Sequence, residues 1–270
     1  MLRTHVTSVA FFAAAAAMTA PVPACEALRP GPAGVVTEVV DGDAVLLDTG
    51  LVVRLIGMQA PKLPLGREGF EAWPMAEEAK EALSAMALGK RVRLGYGGEE
   101  TDRYARTLAH AFIAGEDGAE TWAQRDMISR GLARVYSFPD NRSCLAELYA
   151  AETEARVKRL GIWTDPYYSV RAADRPGEIL RRAGNYELVE GRVLTADEAG
   201  GRVYLNFGRY WKEDFTVVIE GAALRLFATE GLDPLVLEQA FIRVRGWIDD
   251  RDGPRVAVTH PEQIEVLAVR

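Results

Sequence analysis

The sequence predicts an α+β fold that is mainly β, with two small barrels in tandem and added helices on the first. Two observations carry this. Apolar alternation marks short strands grouped as three, a helix, then two. That grouping occurs twice along the 270 residues, without an evident sequence repeat. Three meandering strands, a helix and two further strands is the order of the five-stranded OB barrel.

The first unit is placed at residues 33–166. Its opening strands are predicted at 34–40, 44–49 and 51–58, joined by the turns Asp41-Gly42-Asp43 and Asp48-Thr49-Gly50. Residues 59–74 form a Pro/Gly-rich loop. A helix follows at 75–88, with Ala76, Ala79, Leu83, Met86 and Ala87 on one face. Strands at 91–95 and 107–113 complete the barrel. A helix at 121–130 ends at Gly131, and a helix at 143–159 starts on Ser143 as N-cap and ends at Gly161. The polar stretch 167–183, with Arg175-Pro176-Gly177, reads as a linker. The second unit, 184–270, has strands at 186–194, 203–207 and 215–219. A helical stretch carries Leu224, Leu226, Phe227 and Leu235. Strands at 241–248 and 255–267 flank a turn at 249–253.

Composition is that of a globular chain, 49% hydrophobic and 26% charged. The formal net charge of -7 argues against a non-specific polyanion binder with a basic surface, and leaves room for a local basic cleft. Residues 1–24 read as an export signal. Arg3 and His5 precede an apolar run at 6–20, and Val22-Pro23-Ala24 offers a small-residue cleavage site. That run is short of the ~20 residues a spanning helix needs. The expected location is the periplasm, the outside medium or the envelope. Cys25 and Cys144 are the two cysteines. A lipidated Cys25 would attach the chain to a membrane. A Cys25–Cys144 disulfide is the second alternative, allowed by export, and free thiols are the third.

The chemistry is carried by acids and arginines. His110 and His260 fall in separate units, no zinc spacing is present, and His110 in an apolar strand reads as a packed histidine. No phosphate-cradling glycine motif occurs. Asp41 and Asp43 flank a turn between strands, Arg54 lies on the third strand, and Arg106 leads into the fifth. Carboxylates suit a hard cation, and paired arginines suit phosphate. Tyr104, Tyr136 and Trp73 are candidates to flank a base, with core or rim packing as the plainer reading. In the second unit Tyr204, Phe207, Tyr210 and Trp211, with Arg209 and Lys212, carry the same two readings.

Together the segments VVDGDAVLL, VRLIGMQAP, DRYARTLAHAFI and ISRGLARVY, with the helices after Gly69 and at 151–158 and the closing Gly161-Ile162-Trp163, resemble the thermonuclease, or staphylococcal-nuclease-like, family from about residue 35 to 163. The resemblance implies an OB-type barrel with added helices and phosphodiester hydrolysis with Ca2+. By position it gives Asp43 the role of first metal ligand and Asp41 that of its neighbour. Arg54 and Arg106 become the phosphate-holding arginines. The family's next loop runs Asp-Thr-Pro-Glu, supplying the second metal ligand and the general base. Here it runs Gln59-Ala60-Pro61-Lys62, so both carboxylates are replaced. Gln59 still offers a carbonyl oxygen, which weakens a calcium site without removing it. A missing general base costs about 10²–10⁴ in rate. Glu68 and Glu71, in the same loop, are candidate replacement acids. Arg54 has a second reading as a structural arginine paired with Asp43.

Three functions follow as expectations. The first is an exported phosphodiester hydrolase acting on nucleic acid with an atypical active-site loop. The second is a family member without catalysis that binds nucleic acid or another phosphorylated ligand. The third is a non-enzymatic envelope interaction protein.

Overall fold

The computed structural model describes Cys25 and residues 28–268. The expected signal segment, 1–24, lies outside the described residues, apart from which the first half of the chain forms a closed barrel. Its strands are β1 (Arg29–Asp41), β2 (Ala44–Leu47), β3 (Val52–Leu55), β4 (Gly57–Gln59), β5 (Arg91–Tyr96), β6 (Thr107–Ala114), β7 (Glu120–Trp122) and β8 (Arg134–Tyr136). Helices α1 (Ala76–Ala87), α2 (Ala123–Ser129) and α3 (Leu145–Val157) pack against them.

β1 pairs antiparallel with β2 and β5, β2 with β3, and β5 with β6. The parallel pairing of β3 with β6 closes the ring of five. Inward positions alternate along each strand, so Val36, Val45, Leu47, Val53, Leu55, Val92, Leu94, Ala111 and Ile113 share one core. Ala79, Leu83 and Ala87 of α1 and Leu148 of α3 cap it. The predicted apolar face of α1 is buried except for Met86, which is only partly covered.

Local differences from the sequence reading have physical causes. The predicted third strand breaks at Gly57, whose φ of +83° separates β3 from β4. A Cβ there would meet Leu148 Cδ1 at 2.7 Å. The buried Gln124 side chain heals the break, donating to the Ile56 and Ala109 carbonyls and accepting from the Ala111 N–H. Ser143 does not cap α3. Cys144 holds the N-cap position in a left-handed conformation, and the Ser143 hydroxyl donates instead to the Gly97 carbonyl.

Cys144 is joined to Cys25 by a disulfide, with Cα atoms 5.2 Å apart. That bond uses the thiol a lipid would need, which corrects the expectation of membrane attachment through Cys25. Among the described residues no helix is long and apolar enough to cross a membrane.

The 167–183 stretch is ordered by short elements, a strand β9 (Arg171–Ala172) and a helix α4 (Pro176–Leu180), and buries Tyr168, Ala173 and Ile179. The second half has strands β10 (Tyr186–Arg192), β11 (Thr195–Ala199), β12 (Arg202–Asn206) and β13 (Thr216–Ile219). Helix α5 (Gly221–Thr229) follows, then β14 (Phe241–Asp249), β15 (Arg255–Val258) and β16 (Ile264–Ala268). These strands form one sheet in the order β11-β12-β13-β15-β14-β10-β9, with β16 on β14. Its core gathers Val189, Val203, Leu205, Phe215, Val217, Ile242, Val244 and Val256.

The two halves meet over a polar seam. Arg245 of β14, fully buried, donates to both carboxylate oxygens of fully buried Glu152 of α3, at 3.1 and 2.8 Å. Glu152 also accepts from the Val135 N–H at 2.7 Å. Burial alone would push the Glu152 carboxyl up, but Arg245 holds it below its ordinary value. Ser137 Oγ lies 2.7 Å from His260 Nε2, and Arg142 forks onto Glu262.

Candidate active-site cleft

The β1–β2 turn, the loop after β4 and the start of α1 converge on one point. Gly42 makes this convergence possible, since a Cβ there would lie 2.6 Å from Ala60 Cβ and 2.9 Å from Ala79 Cβ. The turn folds on itself as Asp43 N–H donates to Asp41 Oδ1 at 3.0 Å. Asp43 is thereby directed inward and is fully buried.

Three groups enclose the Asp43 carboxylate. The Lys62 ammonium lies 2.6 Å from each of its oxygens. Arg54 Nη1 sits 2.7 Å from Oδ1. The Ala60 N–H donates to Oδ2 at 2.9 Å. Lys62 also reaches Asp41 Oδ2 at 3.3 Å, while its own side chain is 19% exposed. Burial pushes the Asp43 carboxyl up, but Arg54 and then Lys62 outweigh it and hold the group down at about 2. Asp41 moves the other way, raised first by burial and then by repulsion from Asp43. Arg54 is also tied to backbone, donating to the Asp43, Leu55 and Met58 carbonyls at 3.1, 3.2 and 2.9 Å. The pairing of Arg54 with Asp43 is thus observed directly.

The donor set does not fit a calcium ion. Both Asp43 oxygens already face cations, and the remaining candidate oxygen is turned away. Gln59 Oε1 accepts from Arg134 Nε and Nη2 at 3.2 and 2.9 Å. Arg134 is itself buried and sits over the rings of Tyr186, Trp73 and Tyr168 at 5.0, 5.8 and 5.8 Å. Among the described residues no group of three or more acidic, histidine or cysteine side chains is placed to hold a metal. Glu68 and Glu71 are exposed on the loop and join none of the ion pairs among the described residues, so they do not refill the cluster.

A cleft of about 500 Å3 opens beside this cluster. Arg54 forms its floor, and Arg103, Tyr104, Arg106, Tyr136 and Phe138 line it. Arg106 pairs with Asp102 at 2.7 Å, and 37% of its side chain stays exposed. Tyr104 is 66% exposed with Arg103 against its ring at 4.8 Å. Glu99, Asp102 and Asp140 also line the cleft, so its walls are of mixed charge. Arg54 and Arg106, predicted as partners, do share this space. Asp41, Asp43, Gln59 and Lys62 do not line it. Trp73 stands elsewhere, between Phe70 and Tyr167.

Of the second-half aromatics, Phe207 packs on Phe215, whereas Tyr204 and Trp211 line a separate cleft with Arg202, Arg251 and Arg255. His110 is a packed histidine, buried against Trp122, and burial lowers its imidazole to about 4. Sequence reasoning missed Arg134 and Phe138, although Arg134 lies within ISRGLARVY and Phe138 shortly after it.

A closed five-stranded barrel with three packed helices and an arginine cleft beside β3 and β6 is the architecture of an OB-type barrel with added helices. The chain belongs to the staphylococcal nuclease family. The family model described as Staphylococcal nuclease homologue matches residues 52–165. Protein ParB of Escherichia coli is 35% identical over 170 residues, covering 59% of this chain and 88% of that protein. Thermonuclease of Staphylococcus intermedius is 31% identical over 136 residues, 49% of this chain and 77% of its own length. Micrococcal nuclease of Shigella flexneri is 30% identical over 161 residues, 57% of this chain and 84% of its own length.

Proposed function

We propose that this protein binds nucleic acid in the Arg54–Arg106 cleft and does not hydrolyse it by the family's calcium route. One observation carries the reading. The Lys62 ammonium lies 2.6 Å from both oxygens of Asp43, the position matched to the first metal ligand. A divalent ion at the same carboxylate would meet that charge directly. Two like charges, one of them double, repel by several kcal/mol at a few ångströms even at an effective dielectric of about 20. The general-base position is the same Lys62, whose ammonium offers donors and no lone pair to accept a proton from water.

The rest of the cleft remains suited to a ligand. Arg106 keeps exposed guanidinium surface for a phosphate. Tyr104, Tyr136 and Phe138 offer rings beside it. Family membership supports nucleic acid as the ligand class. The Cys25–Cys144 disulfide and the apolar run at 6–20 support export to an oxidising compartment. The second half is read as an OB-like barrel, because only Val193-Leu194 separate β10 from β11 in a ring otherwise closed by strand pairing.

The test incubates purified mature protein with single- and double-stranded DNA and RNA, in Ca2+, in other divalent ions and in EDTA. Binding without cleavage in every condition supports the proposal. Cleavage that disappears in Arg54→Ala and Arg106→Ala overturns it in favour of an active phosphodiesterase. Neither cleavage nor binding leaves a non-enzymatic envelope interaction protein.

A further inference from the structure

The second half places an aromatic side chain at the rim of the cleft. β14 turns Ile242, Val244, Gly246 and Ile248 into its own core and leaves Arg243, Arg245 and Trp247 on the other face. On that face Arg245 is fully buried beneath the first half, whereas Trp247, two residues on, is 47% exposed. The seam between the halves therefore ends at Trp247.

It ends beside the cleft. The Trp247 indole N–H donates to the Tyr136 hydroxyl at 3.2 Å, and Tyr136 lines the cleft. The Tyr136 ring centroid lies 6.4 Å from that of Trp247 and 4.9 Å from that of Phe138. With its only polar atom engaged, the surface Trp247 offers to solvent is ring carbon. An exposed indole continuous with a row of cleft aromatics is a stacking platform, because every nucleobase has a π face to lay on it. Paired bases in a duplex keep those faces stacked on one another.

We infer that Trp247 extends the cleft onto the second half, and that the ligand is a single strand running from the Tyr104 side across Tyr136 to Trp247. This rests on the reading that the cleft takes nucleic acid, and adds which form it takes and a residue that selects it.

Binding of labelled oligo(dT) of about 12 nucleotides, within the span of one such barrel, is compared with that of a trinucleotide. The proteins are the full wild-type chain, Trp247→Ala, Trp247→Phe and Arg106→Ala. Trp247→Ala is expected to weaken the longer strand about ten-fold and leave the trinucleotide unchanged. Trp247→Phe should recover most of the loss, and Arg106→Ala should weaken both ligands. A strand carrying 5-iodouracil should photo-cross-link the wild-type protein at Trp247. Full-strength binding of the longer strand by Trp247→Ala, with Arg106→Ala impaired, overturns the inference and leaves nucleic-acid binding standing. Equal loss of both ligands in Trp247→Ala also overturns it, since the indole would then act only by holding Tyr136. A wild-type protein that binds neither ligand sinks both readings.

Discussion

Two arginine–carboxylate pairs lie on the same barrel and differ in what surrounds them. Arg54 and Asp43 are buried, joined by Lys62 and bonded to four backbone groups besides. Arg106 and Asp102 stand at the rim, with more than a third of the arginine side chain in solvent. The first pair has its charges compensated inside the molecule, so removing one member leaves the other buried and unpaired. The second keeps guanidinium surface in solvent, where the proposed ligand would meet it.

The largest effect should come from opening the sealed pair. Asp43→Ala leaves Lys62 and Arg54 facing each other without their shared anion. Breaking a buried pair in this way costs about 3–5 kcal/mol, to be read from chemical denaturation. A loss below about 1 kcal/mol would place the cluster with ordinary surface pairs.

Acid should probe the same contrast next. Asp43, held at about 2, contributes stability that is complete above its unfolded value of 3.8 and is lost only as pH falls from there towards 2. His260 behaves oppositely in range. Burial lowers it from 6.5 to about 4, so its contribution is complete above pH 6.5 and is lost as pH falls towards 4. That difference amounts to about 3 kcal/mol. Unfolding free energy should thus begin to fall well before the carboxylate cluster titrates, and His260→Asn should flatten the slope between those pH values. An unchanged slope would assign the acid sensitivity to another group, with His110, also lowered to about 4, the first to examine.

Calcium sharpens the comparison further. Thermal unfolding of the wild-type protein should be the same in millimolar Ca2+ and in EDTA. The double variant Gln59→Asp with Lys62→Glu restores two acids and should become calcium-stabilised, by about 2.7 kcal/mol where calcium is ~100-fold above its Kd. If the wild-type melting temperature already responds to calcium, Lys62 does not close the site. The smallest stability effect belongs to the rim. Arg106→Ala should change unfolding by less than about 1 kcal/mol, while its oligonucleotide affinity falls clearly.

The parts of this arrangement set by local pattern are legible in the sequence. Barrel strands with alternating apolar residues, the Asp41-Gly42-Asp43 turn and Arg54 on the third strand all appear where the pattern places them. β7, β8, β9 and β11 escaped, the first three because two or three residues are too few to show a period, the last because TADEA lacks apolar alternation. The direction Lys62 takes was not readable either. Sequence separates it from Asp43 by 19 residues, and a long side chain in a loop could equally have gone to water. The Gln59–Arg134 and Trp247–Tyr136 contacts span 75 and 111 residues, distances at which only the packed fold decides who meets whom.

The Arg245–Glu152 contact has a bearing on how such a chain can be divided. The segment that matches the family, 52–165, contains Glu152 but not its buried partner. Cut out, it would keep Arg156 at 3.3 Å and the Val135 N–H on Glu152 but lose the two-pronged contact from Arg245. The barrel therefore shares one carboxylate with the second half, and a cut between the halves leaves Glu152 with Arg156 as its ion-pair partner.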